Sequence, residues 1–223
     1  MPEFVLYNYF RSSASHRVRI VLNLKNINYE YRAVHLINNG GEQNAESYGE
    51  LNPSQQVPTL IHKGRALGQS MAIVNYLDAV VPEPPLFPKD FYQRAHVIQV
   101  CEVINSGIQP LQNLSVLQEL ERRYKISQEE KNLWSALWIR KGYRALENIL
   151  TKTAGNYCFG HEVTAADVFL VPQVTTGYRF GVEIEEFTTL SRIVKNCNQL
   201  EAFQNAAPDV QPDTPEDLRR VVP

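Results

Sequence analysis

The chain has 223 residues, enough for one large domain or two small ones, and its 43% hydrophobic content is ordinary for a globular protein with a sizeable core. The net charge is −2 and no block of like charge stands out, which argues against a nucleic-acid partner and against a basic membrane patch. The three cysteines, Cys101, Cys158 and Cys197, are odd in number and far apart, with neither CxxC nor zinc spacing. They are expected as small buried hydrophobes in a reducing compartment, and no metal site is expected. Met1-Pro2-Glu3 carries no basic leader and no apolar stretch has the length of a bilayer span. The cytosol is therefore the expected location, with no membrane contact.

In chain order, Phe4-Val5-Leu6-Tyr7 opens a strand over 4–8 and 17–26 reads as a helix. Tyr29, Tyr31, Ala33 and His35 alternate as in a second strand. Strand, helix, strand is a βαβ unit, so these strands should be parallel with a right-handed crossover. Asn38-Asn39-Gly40-Gly41 signals a turn, and Val57-Pro58-Thr59-Leu60-Ile61 a strand with proline at its start, where the missing donor is tolerated. Lys63-Gly64 turns into a short strand at Ala66-Leu67, and a helix begins at Ser70, marked by Met71, Ile73, Val74, Leu77 and Val80. The order βαβ then ββα is that of a thioredoxin-like domain.

Residues 82–88 hold four prolines in seven positions, a density that reads as a linker. The expected division is thus a thioredoxin-like domain over 1–81, the linker, and an all-α domain over 89–223. In that second half Ile98, Cys101, Ile104 and Ile108 step at helical spacing, and Leu133, Leu137, Leu146 and Leu150 line another helix. Thr164 followed by Asp167 ahead of Val168-Phe169-Leu170-Val171 is a capping-box pattern, so Asp167 is read as a structural cap rather than an acid or base. A last helix is expected over roughly 187–206, with Gln211-Pro212-Asp213-Thr214-Pro215 extended behind it.

Three features carry chemistry. Ser12-Ser13 stand between a strand and a helix, where unpaired N–H groups and about half a positive charge favour an anion. A thiolate is such an anion, yet the turn has no cysteine, so the thiol would arrive on a cofactor. Val57 before Pro58 would offer main-chain N–H and C=O to an extended peptide. Gln69-Ser70 at the next helix start could hold a carboxylate. Each feature alone also fits a helix cap or an edge-strand proline. Together, in this order, they describe a glutathione site.

These segments, with Tyr9-Phe10-Arg11-Ser12-Ser13, Arg17-Val18-Arg19-Ile20, Asn52-Pro53, Gly107-Ile108-Gln109-Pro110-Leu111-Gln112-Asn113-Leu114, Leu170-Val171-Pro172-Gln173 and Gln211-Pro212-Asp213-Thr214-Pro215, resemble zeta-class glutathione transferases, the maleylacetoacetate isomerase family. The resemblance runs nearly end to end. It implies the two-domain glutathione transferase fold, a homodimer, glutathione as cofactor and a small dicarboxylate substrate. It places Ser12 and Ser13 in the catalytic turn, with Ser12 the partner of the glutathione sulfur. Gln43, Val57, Gln69, Ser70, Gln109 and Asn113 match positions that hold glutathione, and Arg11 and Arg179 are assigned to the substrate's carboxylates. The family's Ser-Ser-Cys-x-Trp motif is here Ser12-Ser13-Ala14-Ser15-His16, so Ala14 replaces the cysteine and His16 the tryptophan.

The implied activity is glutathione-dependent cis–trans isomerisation of maleylacetoacetate to fumarylacetoacetate in tyrosine and phenylalanine catabolism. A maleylpyruvate isomerase, a transferase acting on α-haloacids, or a non-catalytic glutathione-fold binding protein are the alternatives.

Overall fold

The computed structural model describes residues 3–220. The chain divides into two compact units, one formed by residues 1–85 with 200–223 and the other by 86–199.

The first unit is built on a four-stranded sheet in the order β2-β1-β3-β4. Its strands are β1 (Phe4–Asn8), β2 (Glu30–Ala33), β3 (Thr59–His62) and β4 (Arg65–Gly68). β2 runs parallel to β1, whereas β1–β3 and β3–β4 are antiparallel. The crossover helix α1 (Ser13–Leu24) starts earlier than periodicity suggests, because Ser12 caps it. A short helix α2 (Glu46–Leu51) precedes β3, and α3 (Ser70–Val80) follows β4. β1 is covered on both faces, since the consecutive residues Phe4, Val5 and Leu6 are all buried, and Val18, Ile20, Val21 and Leu22 from α1 with Ile73, Val74 and Leu77 from α3 are buried as well. Lys25, just past α1, is buried and donates to Asp78 Oδ1 (2.9 Å) and to the carbonyls of Val81 (2.6 Å) and Pro84 (2.9 Å), which fixes the start of the proline-rich segment.

The second unit is helical: α4 (Phe91–Asn105), α5 (Leu114–Tyr124), α6 (Gln128–Leu150), α7 (Ala165–Arg179) and α8 (Thr188–Cys197). All of 165–174 is buried, so α7 is its central helix. The helix expected from Leu133, Leu137, Leu146 and Leu150 is α6, although Leu133 and Leu137 stand 63% and 61% exposed while the other two are buried. The buried stripe of α6 is Ser135, Ile139, Tyr143, Leu146 and Leu150, so the two leucines fall on a neighbouring face. α8 lacks a local cap, and the Glu147 carboxylate of α6 accepts the N–H groups of Thr189 (2.9 Å) and Leu190 (3.1 Å) in its place. The three cysteines are buried and unbridged.

The chain end departs from the expected division at 89–223. The helix expected over 187–206 breaks after α8, and a four-residue helix α9 (Glu201–Gln204) groups with the sheet unit. The physical reason is the set of bonds the tail makes there: Asn23 Nδ2 to the Ala202 carbonyl (3.0 Å), Arg19 Nε to the Ala206 carbonyl (3.0 Å), and Phe10 N–H to Asp213 Oδ2 (3.0 Å). Nor is residues 211–215 a plain extended run, since Thr214 N–H donates back to the Gln211 carbonyl at 3.1 Å.

Candidate active site

The register of the sheet assembles the candidate site. Tyr7 pairs with Thr59, Thr59 pairs with Gly68, and Asn8 pairs with Ala33. At this one end β1 runs out toward Ser12, β3 is entered from Val57-Pro58, β4 runs out toward Gln69-Ser70, and β2 runs out toward the loop that carries Gln43. Tyr9 and Phe10 of the first segment then pack in one cluster with Val34, Tyr48 and Val57.

Ser12 is the N-cap of α1, and its Oγ accepts the Ser15 N–H at 3.2 Å. A hydroxyl that accepts this way keeps its proton for an outward partner. Ser13 is the first helical residue, and Arg11, Ser12, Ser13 and Ala14 are all half-buried. Neither a hydrogen bond nor an ion pair among the described residues engages the Arg11 guanidinium. His16 is 2% exposed with Nε2 unpartnered. Burial, and then the charges of Arg19 and Arg17, hold its imidazole well below the usual 6.5. His16 is thus a neutral packing residue and not an acid or base.

The Val57-Pro58 bond is cis. The Gln56 carbonyl just before it accepts the Tyr48 hydroxyl (2.8 Å) and Asn52 Nδ2 (2.8 Å), and Asn52 Nδ2 also reaches Thr59 Oγ1 (2.9 Å). The carbonyl of the peptide leading into Val57 is therefore held by two donors, while no hydrogen bond among the described residues uses the Val57 main chain.

Gln69 precedes α3 in the left-handed region, at φ 66°, a conformation that costs about 1 kcal/mol or more for a side chain of this kind. Its side chain is exposed, whereas Ser70 is buried. Ser70 Oγ accepts Nη1 of the fully buried Arg17 at 3.1 Å, so a positive charge stands directly behind the α3 N-terminus. Gln43 sits in a 3-10 turn over Glu42–Asn44, folded across Gly41, and its Oε1 is buried without a partner. A Cβ on Gly41 would come within 2.5 Å of that side chain, and its φ of +95° suits only glycine.

In the helical unit, Gln109 begins a 3-10 turn and is half-buried. Asn113 caps α5, with Oδ1 accepting Ser115 N–H at 3.1 Å. Arg179 is exposed in the last turn of α7, where the helix C-terminus favours a cation, and its guanidinium lies 5.7 Å from the Phe180 ring centre. Asp167 is fully buried: Oδ2 accepts the Thr164 N–H (2.8 Å) and hydroxyl (3.0 Å), and Oδ1 accepts the Cys158 N–H (2.8 Å). It is a structural cap, as the spacing indicates. Among the described residues no cluster of His, Cys, Asp or Glu could hold a metal ion.

The sheet-unit residues fit a thiol peptide with a carboxylate at one end. A hydroxyl donor stands at a helix N-terminus, an uncommitted main-chain pair at Val57, a buried unpartnered acceptor at Gln43, and a charge-backed serine at the second helix start. Sequence reasoning missed the supporting residues Arg17, Tyr48 and Asn52. Arg17 and Asn52 nevertheless lie inside the motifs Arg17-Val18-Arg19-Ile20 and Asn52-Pro53.

A four-stranded thioredoxin-like sheet with this turn defines the glutathione transferase class. The profile of the "Glutathione S-transferase, N-terminal domain" family matches residues 2–79. Maleylacetoacetate isomerase of Rattus norvegicus is 49% identical over 96% of this chain and 97% of that protein. Among solved structures, holo maleylpyruvate isomerase, a bacterial zeta-class glutathione S-transferase, superposes with a TM-score of 0.92 at 38% identity, covering 95% of this chain and all of that one. Maleylacetoacetate isomerase of Anaeromyxobacter dehalogenans 2CP-1, solved with glutathione in its active site, gives 0.85 at 42% identity over 95% of this chain and 98% of that one. The same protein has also been solved with dicarboxyethyl glutathione and citrate bound. This chain belongs to the zeta-class glutathione transferase, or maleylacetoacetate isomerase, family.

Proposed function

We propose that the protein catalyses the glutathione-dependent cis–trans isomerisation of maleylacetoacetate to fumarylacetoacetate, the step that serves tyrosine and phenylalanine breakdown. The carrying observation is the single sheet row that delivers Ser12, Val57 and Gln69-Ser70 to one end of the first unit. When bound, glutathione supplies a thiolate that adds to the cis double bond, lets it turn as a single bond, and leaves unchanged.

The chain's own residues do the rest. Ser12 donates a hydrogen bond from its hydroxyl to the sulfur and, with the α1 N-terminus, holds it anionic at a pH where a free thiol of pKa about 8.5 is mostly protonated. Val57 pairs its main-chain N–H and C=O with the peptide. Ser70 and Gln69 receive the γ-glutamyl carboxylate in front of Arg17, and Ser13, Gln43, Gln109 and Asn113 keep their family assignments as glutathione ligands. Arg11 and Arg179 are the guanidinium ligands of the substrate's carboxylates, for which a planar fork is suited. Ala14 supplies no thiol, and none is needed from the protein, since the nucleophile belongs to the cofactor.

The likeness to maleylpyruvate isomerase supports a second substrate with the same chemistry. Turnover of maleylacetoacetate and of maleylpyruvate, each with and without glutathione, tests the reading. Isomerisation of maleylacetoacetate that requires glutathione and does not consume it is expected. Preference for maleylpyruvate moves the substrate, and glutathione binding without isomerisation of either favours a binding protein. A homodimer in the cytosol completes the proposal, to be checked by light scattering and cell fractionation. No helix of the described residues is long and apolar enough to cross a membrane.

A further inference from the structure

The tail motif Gln211-Pro212-Asp213-Thr214-Pro215 has no place in the site described above, yet it is one of the most tightly bonded parts of the sheet unit. Gln211 Nε2 donates to the carbonyls of Asn205 (2.9 Å) and Ala207 (2.8 Å), and Arg219 donates to those of Thr214 (3.0 Å) and Pro212 (3.0 Å). Gln211 and Thr214 are each 4% exposed. Between them Asp213 presents its carboxylate to the β1–α1 turn: Oδ2 accepts the Phe10 N–H at 3.0 Å, and Oδ1 accepts the Tyr31 hydroxyl.

The opposite side of the same residue is also held. Nη2 of fully buried Arg19 donates to the Phe10 carbonyl at 2.9 Å, and Nη1 donates to the Tyr9 carbonyl at 3.3 Å and to Asn8 Oδ1 at 3.0 Å. The Tyr9 carbonyl in turn accepts the Ser12 N–H at 3.0 Å. Both peptide groups of Phe10 are thus fastened by charged side chains, two residues before Ser12. Charge-assisted bonds of this kind are roughly twice as strong as neutral ones.

We propose that Asp213 is a positioning residue for the reaction: acting through Phe10 and opposed by Arg19, it sets where the Ser12 hydroxyl stands relative to the cofactor's sulfur. This rests on the functional reading above. Aligning a donor with a developing anion is sensitive to displacements of an ångström or less, and such an error costs on the order of a hundredfold in rate.

The test uses the full chain with Asp213→Ala, Asp213→Asn and Tyr31→Phe. It reads kcat, KM for glutathione, thermal midpoint, and the pKa of bound glutathione's thiol from the ultraviolet absorbance of the thiolate. Asp213→Ala should lower kcat about tenfold or more and raise the bound thiol's pKa by about one unit, with KM for glutathione little changed. Asp213→Asn keeps one oxygen for the Phe10 N–H and should recover most of the loss. It is also the variant to read should Asp213→Ala not fold. Tyr31→Phe removes the other contact of the same carboxylate, and should cost stability while sparing kcat and the thiol pKa. Asp213 variants that lose only thermal stability, or a Tyr31→Phe that shifts the thiol pKa equally, would overturn the assignment. If the unaltered protein forms no bound thiolate at all, the functional reading fails and this assignment with it. A normal thiolate in both the unaltered protein and Asp213→Ala removes only the assignment.

Discussion

Arg17 Nη1 lies 3.1 Å from Ser70 Oγ, joining α1, which Ser12 caps, to the start of α3 inside the core. The contact fixes the serine as acceptor toward the protein and so as donor toward a ligand. It also places a buried cation behind the α3 N-terminus proposed to take the γ-glutamyl carboxylate, where the low dielectric strengthens its field.

Ser70→Ala should therefore raise KM for glutathione roughly ten- to a hundredfold, the worth of one hydrogen bond to a charged group, and leave kcat at saturation nearly unchanged. Steady-state kinetics with glutathione as the varied component check this. A kcat loss with unchanged KM would place Ser70 elsewhere in the mechanism.

Ser12→Ala should behave in the opposite way. Removing a donor aimed at an anion costs about 3 kcal/mol, or roughly a hundredfold in kcat, while binding of the peptide part is retained. Turnover at saturating glutathione, with calorimetry of glutathione binding, separates the two.

Arg179→Ala should lower kcat/KM for the dicarboxylate about ten- to a hundredfold and barely alter glutathione affinity. Lysine at this position should restore only part, because it lacks the planar fork. Equal losses on an uncharged acceptor would mean the residue is structural.

His16 leads to a pH effect on stability. Its folded-state pKa is depressed below the 6.5 of an unfolded histidine by burial and by Arg19 and Arg17. Below that value the unfolded chain binds a proton that the native state refuses. The stability contributed by neutral His16 is thus present above the unfolded value and lost as pH falls through the window beneath it. The slope should approach about 1.4 kcal/mol per pH unit. Denaturant midpoints taken across weakly acidic pH should show this slope, and His16→Trp should remove it whatever that variant's absolute stability.

Asp167→Ala should destabilise the fold by about 2–4 kcal/mol, since it removes a cap and leaves the buried N–H groups of Cys158 and Thr164 without acceptors. Urea unfolding gives the shift, while kcat per folded molecule should stay constant.

What could be read from the sequence was local. The βαβ–ββα order, the Ser12 cap and the Thr164–Asp167 box each depend on residues within one turn or one strand, where periodicity and capping leave a pattern. The supports of the site did not show, because they join distant parts of the chain through single hydrogen bonds. Arg17 and Ser70 are 53 residues apart, Glu147 caps α8 from 42 residues away, and Asp213 meets Phe10 across 203 residues. No spacing rule marks such a pair. The exposed Leu133 and Leu137 show a different limit: leucines at i and i+4 define a face, and which face is covered depends on neighbours the helix does not encode.

The grouping of residues 200–223 with residues 1–85 makes the sheet unit discontinuous, with the helical unit inserted between its parts. During synthesis the β1–α1 turn leaves the ribosome early, but the Asp213 carboxylate that holds Phe10 is made after the entire helical unit. The first unit to begin folding is therefore the last to be finished, and a nascent chain stopped at the proline-rich segment carries a serine turn without its clamp.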